Sequence, residues 1–120
     1  MKTKSKLVLC GTLIQLFTVC KLAVAEQRPS YECSVASQGS EKSILFNSDA
    51  DTAVLRVENV FATVTRPTPF GLHLAIADEN IAKLESYAYG DGRPTRLEAV
   101  LIHPFGDAGF IGKVVCVLTH

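Results

Sequence analysis

Past residue 30 the chain alternates apolar and polar residues over most of its length, a period of two that predicts β-strands. In Tyr31-Glu32-Cys33-Ser34-Val35 the residues Tyr31, Cys33 and Val35 share one phase. Gln38-Gly39-Ser40 reads as a turn and Ser43-Ile44-Leu45-Phe46 as a short strand. Asn47-Ser48-Asp49-Ala50-Asp51 follows as a second turn, rich in side chains that bond their own backbone. The longest β-branched stretch runs from Ala53 to Thr65. Leu55 and Val57 hold one phase there and Val60, Ala62 and Val64 the other, which predicts a bent strand with a bulge near Glu58-Asn59. Arg66-Pro67-Thr68-Pro69 breaks the ladder, since proline has no N–H to donate. Leu72, Leu74 and Ile76 then alternate with His73 and Ala75, so His73 points away from the core. Thr95–His103 and Ile111–Thr119 are the last two predicted strands, separated by Pro104-Phe105-Gly106-Asp107-Ala108-Gly109.

Asp78 to Tyr89 carries two readings. As a helix it has Asp78 as N-cap, a Glu79–Lys83 pair four apart, Ile81, Leu84 and Ala88 on one side, and Gly90 just beyond. As a strand it pairs with Thr95–His103 across Gly90-Asp91-Gly92-Arg93-Pro94, a hairpin signal. Antiparallel neighbours need only short connections, which favours the strand. The expected fold is therefore all-β, a small antiparallel barrel or sandwich of about 7–8 short strands. The alternative is an α+β domain with one helix near residues 79–88.

The N-terminus follows a different pattern. Lys2, Lys4 and Lys6 precede a mostly apolar run from Leu7 to Cys20, and Ala23-Val24-Ala25 supplies small residues before Glu26. That order predicts a cleavable export signal. Fourteen residues of helix span about 21 Å, short of the ~30 Å hydrocarbon core a membrane anchor must cross. Cys10 follows Leu9 and Cys20 follows Val19, so neither sits in a lipidation context. The expected organisation is a signal peptide over residues 1–25, a flexible segment over 26–30, and a single β domain over 31–120. The protein is then exported, periplasmic or extracellular, with no stable membrane insertion.

Cleavage changes the charge and the cysteine count. The 120-residue chain has 12 basic and 12 acidic residues and is neutral, but four of the lysines lie in the first 25 residues, leaving a net charge of −4. Such a surface repels phosphate backbones, and no basic cluster with interleaved aromatics appears, so nucleic acid is not an expected partner. Cys10 and Cys20 leave with the signal. Cys33 and Cys116 remain, and an even count in an oxidising compartment predicts a disulfide between them. No CxxC spacing supports a redox or metal pair.

Residues that could carry chemistry are dispersed. His73, His103 and His120 show no metal-ligand spacing, and no serine lies in a Gly-x-Ser-x-Gly elbow. Glu85, Glu98, Asp91 and Asp107 could be paired on paper as a two-carboxylate site, but any domain with 12 acids offers such pairs. Gly90-Asp91-Gly92 and the glycine-rich stretch 105–109 read as turns rather than phosphate or calcium loops. The expectation is a non-enzyme without cofactor or metal.

The candidate interface is aromatic and charged. Tyr87 and Tyr89 lie two apart on one strand face, next to the turn carrying Asp91, Arg93 and Arg96, while Phe70 and Phe105 flank Pro/Gly loops. Tyr and Arg are enriched at interface hot spots because they offer large, semi-rigid contact area. The alternative packs Tyr87 inward and uses the phenylalanines as plugs at the domain ends. Tyr31-Glu32-Cys33 with Asp51-Thr52-Ala53-Val54-Leu55 resembles the bacterial periplasmic inhibitors of C-type lysozyme over residues 31–55. That family's inhibitory loop carries Ser-Gly-x-x-Tyr. Ser86-Tyr87-Ala88-Tyr89-Gly90 has a different order and spacing, so no functional residue carries across. The expected function is non-catalytic binding of an unidentified envelope or extracellular protein, with the oligomeric state open. The alternatives are an inhibitor of an extracellular hydrolase such as a lysozyme, inserting Tyr89–Arg93 or Arg66–Gly71, and a saccharide-binding module using Tyr87, Tyr89 and nearby acids.

Overall fold

The computed structural model describes residues 27–103 and 109–119. The predicted signal peptide, Phe105, Asp107 and His120 lie outside the described residues. Eight antiparallel strands follow one another: β1 (Tyr31–Ser37), β2 (Ser40–Phe46), β3 (Thr52–Val57), β4 (Val60–Thr65), β5 (Leu72–Asp78), β6 (Glu85–Gly90), β7 (Arg96–Ile102) and β8 (Phe110–Leu118). They form two four-stranded sheets, in the orders β2-β1-β8-β7 and β3-β4-β5-β6. The first is here called the terminal sheet and the second the meander sheet. Among the described residues no ladder joins β2 to β3 or β6 to β7, so the fold is an all-β sandwich rather than a closed barrel. The described part contains no helix, and hence none able to cross a membrane.

Alternation builds the core. Tyr31, Cys33 and Val35 of β1, Leu55 and Val57 of β3, and Val60, Ala62 and Val64 of β4 are buried. Leu72, Leu74 and Ile76 of β5 continue the meander side of the core, and Ala99, Leu101, Val114 and Cys116 join the β1 residues on the terminal side. The two inner faces interdigitate as sandwich packing requires. Gly112 of β8 leaves no room for a side chain, since a Cβ there would lie 3.0 Å from both the Ala36 carbonyl oxygen of its own sheet and a Val60 methyl of the other.

Two expectations are corrected, and the open choice between helix and strand is decided for the strand. Ala53–Thr65 is not one bent strand but a tight hairpin, with Glu58-Asn59 as its turn and Val57 opposite Val60. Glu58 takes the left-handed conformation at φ 55° without a glycine to announce it. The two-residue turn restores the inward phase on both strands, which is what the mid-stretch phase switch records. The helix near 79–88 is absent. Residues 79–84 form turns, with Lys83 at φ 64°, and Glu85–Gly90 is a strand. The second correction is that this strand does not pair with Thr95–His103. β6 pairs with β5, and Asp91–Thr95 carries the chain across to the terminal sheet, where β7 pairs with β8. Gly92 and Arg93 both have positive φ, at 71° and 61°, and turn the chain toward the other layer.

The first and last described strands meet as expected. β1 and β8 pair antiparallel with Cys33 directly opposite Cys116, and the two are disulfide-bonded across 83 residues with Cα atoms 4.0 Å apart. That is the close spacing of a non-hydrogen-bonded antiparallel pair. At one end of the sandwich the Asn47–Asp51 connector between sheets is gripped by two arginines. Arg28 donates to the Ser48 carbonyl at 2.7 Å and bridges Asp51 at 2.9 Å. Arg66 donates to the carbonyls of Ala50 and Asn47 at 3.0 and 2.9 Å and stacks on the Phe46 ring at 4.7 Å. Burial, and then the nearby Arg28 charge, pull the Arg66 pKa down. Its phase after Ala62 and Val64 is inward, a sign in the sequence that the expectations did not use.

The β1–β8 ladder predicts a measurable dependence on the bridge. A Cys33→Ser/Cys116→Ser chain is expected to lose about 2–4 kcal/mol of stability in urea unfolding relative to the oxidised protein. An unchanged midpoint would mean that β1–β8 pairing closes the terminal sheet without it.

Candidate functional site

Two surfaces gather the residues singled out in the sequence. The first is the loop end shared by the Arg66–Gly71 and Asp91–Thr95 connections. β5 begins and β6 ends at this edge of the meander sheet, so antiparallel pairing of β5 with β6 brings both loops together. Three contacts latch them. The Arg93 amide donates to the Phe70 carbonyl at 2.7 Å. The Arg93 guanidinium lies 5.4 Å from the centre of the Phe70 ring. The Thr68 hydroxyl donates to Asp91 Oδ1 at 2.9 Å. Arg93 also reaches back to the Gln27 carbonyl at 2.9 Å, and the buried Tyr31 hydroxyl donates to the Pro94 carbonyl at 2.7 Å. The loop pair is thus tied to both β1 and the residues preceding it.

Asp91 is the electrostatic centre of this latch. The Thr68 hydroxyl, then the Gly92 amide at 2.8 Å, hold its carboxyl below the ordinary value, with the Tyr89 hydroxyl acting in the same direction. Hydrogen bonds to the charged form favour it, although the group is exposed.

The second surface is the outer face of the meander sheet. Register sets its side chains in three cross-strand rows. Thr52, Thr65, His73 and Tyr89 form the row nearest the latched loops; Val54, Thr63, Ala75 and Tyr87 form the middle one. Arg56, Phe61, Ala77 and Glu85 form the far row. Tyr87 and Tyr89 point outward and are 59% and 54% exposed, so the alternative in which Tyr87 packs inward does not hold. The Tyr87 ring lies 5.9 Å from that of His73, and its hydroxyl donates to Glu85, whose carboxylate raises the phenol pKa. Between Phe61 and Tyr87 the small residues Thr63, Ala75 and Ala77 leave a shallow cleft of about 160 Å³. At the far row Arg56 bridges Glu79 at 2.6 Å and lies 5.7 Å from the Phe61 ring.

The structure therefore brings Phe70, Asp91 and Arg93 together, puts Tyr89 beside them, and sets Tyr87 further along the same strand. Arg96 is elsewhere, on the terminal sheet, bonded to Glu98 at 3.0 Å. The carboxylates considered as a pair are dispersed: Glu85 lies on one outer face, Glu98 on the other, and Asp91 at the loop end. His73 lies on the meander face and His103 at the end of β7. Sequence reasoning missed Thr68 and Phe61. Thr68 had a signal, a hydroxyl within a Pro-x-Pro break, but its partner lies 23 residues away.

No protein-family model, curated protein or solved structure matches this chain. The resemblance over residues 31–55 thus stands without a family assignment.

The latch yields a titration prediction. Asp91 is held low in the folded state, so its contribution is present above the ordinary carboxyl value of 3.8 and is lost as pH falls through the lower folded value. In Thr68→Val the Asp91 carboxyl is expected to titrate at higher pH than in the parent, read by carboxyl-carbon NMR. Coincident curves would show that Thr68 and Asp91 are not coupled.

Proposed function

We propose that this chain is a small exported, non-catalytic β protein that binds another envelope or extracellular protein through its latched loop end. The observation that carries the reading is the mutual locking of the Phe70 and Arg93 loops by a backbone bond, a cation–π stack and the Thr68–Asp91 bond. Loops ordinarily lose conformational freedom on binding, and a surface fixed beforehand avoids that cost. Its residue types, Phe, Tyr and Arg beside a carboxylate, are those that give interfaces their anchors and their orientation. Export rests on the basic, apolar, Ala-x-Ala order at the N-terminus. The disulfide is consistent with an oxidising compartment.

A second reading, inhibition of an extracellular hydrolase, is favoured by one feature. The two loops expected to enter a target cleft, Arg66–Gly71 and Tyr89–Arg93, are joined into one surface. Inhibitor loops that are rigid before contact lose little on docking.

The oxidised protein, immobilised and exposed to envelope extract, is expected to retain a discrete protein at moderate salt. A Phe70→Ala/Arg93→Ala variant with an unchanged thermal transition is expected to bind it at least about tenfold more weakly. Equal retention by the variant would remove the loop end as the binding surface. Stoichiometric loss of hydrolase activity in the bound fraction would select the inhibitor reading.

A further inference from the structure

We infer that the outer face of the meander sheet is a self-complementary surface that pairs with a second copy of this chain, around a two-fold axis running parallel to the strands between β4 and β5. The inference rests on what that operation does to the rows. It reverses each row against itself, so the first residue faces the fourth and the second faces the third. In the far row Arg56, which bridges Glu79 in its own chain, then also meets Glu85 of the second copy, and Glu85, which accepts from Tyr87, meets its Arg56. Phe61, the largest side chain near the middle of the face, meets Ala77. In the middle row Tyr87 meets Val54 and Thr63 meets Ala75. Large faces small and cation faces anion at both symmetry-related positions, as an isologous interface requires. The shallow cleft floored by Ala75 and Ala77 is where the Phe61 ring of the second copy is received.

The terminal sheet supplies the internal comparison. Its outer face also exposes apolar residues, Leu45 at 58% and Val117 at 45% among them. The same operation there sets Leu45 against Arg96, Glu32 against Val117, Ala36 against Lys113 and Glu41 against Val100. Every one of those contacts places a charge on a small or apolar side chain. The middle row there sets Ser34 against Val115 and Ser43 against Glu98, so opposite charges meet at no position of that face.

Size fixes the expected strength. Four strands spaced about 4.8 Å apart, six residues long at about 3.3 Å each, give a face of roughly 19 by 20 Å. That is below the ~800 Å² per partner of a standard interface, so the dimer is reversible and depends on concentration. Paired strands cross at about 30° when sheets stack face to face, and an axis bisecting that angle satisfies the symmetry. The axis leaves the strand direction unchanged, so both latched loop ends point the same way. The dimer displays two Phe70–Arg93 surfaces side by side.

Sedimentation of the oxidised full chain over a wide concentration range reads the self-association. Ala75→Arg, which fills the cleft floor with a charge, is expected to raise the dimer dissociation constant at least about tenfold. R56E and E85R are each expected to abolish pairing alone, because like charges then meet at both contacts. Mixed together they are expected to form a dimer again, since the R56E chain keeps Glu85 and the E85R chain keeps Arg56. A chain that stays monomeric to millimolar concentration overturns the inference. So does a dimer insensitive to Ala75→Arg, which would place the contact on another face, or a mixture that fails to re-form while each variant retains the parent's thermal transition.

Discussion

The pairing of the first strand with the last is the constraint on which this fold depends. The meander sheet is assembled from strands adjacent in the chain, each joined to the next by a turn or short loop. The terminal sheet is not. It consists of two hairpins, β1–β2 and β7–β8, and its continuity rests on the β1–β8 ladder alone. Bringing segments together across 83 residues costs closure entropy that local hairpins do not pay. For a loop of that length the entropic argument assigns the disulfide up to about 4.5 kcal/mol. A small domain holds on the order of 5–15 kcal/mol in all, so a covalent tie within this ladder is a large share of what keeps the terminal sheet closed. With the ladder in place, Tyr31 and Val35 are delivered to the core on the same phase as Cys33.

Closure in turn positions the loop end. Tyr31 reaches from β1 to the Pro94 carbonyl, and Arg93 reaches from the following loop to the Gln27 carbonyl. The candidate surface is therefore fastened to Gln27 and β1 as well as to the meander. Arg66 and Arg28 do the same for the connector on the adjacent corner. The desolvation of Arg66 is offset by two carbonyl bonds and the Phe46 ring rather than by a direct carboxylate contact. A guanidinium suits that role because its planar donors reach separate acceptors while its face stacks on an aromatic ring.

What the sequence revealed follows a physical division. Side-chain phase is a local property, so the inward residues of β1, β4 and β5 and the outward direction of His73 were legible from alternation, whereas the direction of Tyr87 was left open and the structure turns it outward. The cysteine pair was legible because only two remain after the predicted signal. Turn identity was less so. Glu58-Asn59 reverses the chain without the glycine that usually accompanies a positive φ, and the bulge reading accounted for the same phase switch. At Gly90–Pro94 the turn residues were recognised and their consequence was not. Local chemistry specifies that the chain changes direction, whereas the partner of each flanking strand is set elsewhere, β6 by its ladder with β5 and β7 by its hairpin with β8. Asp91 and Arg93 were placed in one turn and Phe70 beside another loop, and the contacts that lock them together required knowing that β5 and β6 are neighbours.

The two outer faces illustrate a further limit on reading function from pattern. Both alternate, both expose valine, leucine or aromatic side chains, and composition does not separate them. The difference lies in register, which orders Arg56, Phe61, Ala77 and Glu85 into one row although they lie on four strands. A shift of one residue in any strand would turn those side chains to the other face and erase the match. The hairpin turn at Glu58-Asn59 fixes Arg56 opposite Phe61, and the β4–β5 ladder fixes Phe61 opposite Ala77. The symmetry of the face is therefore a consequence of turn lengths as much as of residue identities. Face and loop end are also linked through Tyr89, which stands in the row nearest the loops and adds its hydroxyl to those holding Asp91. Covering the face would stiffen β6 along its exposed length and hold the Phe70–Arg93 surface in the geometry that its own latch already favours.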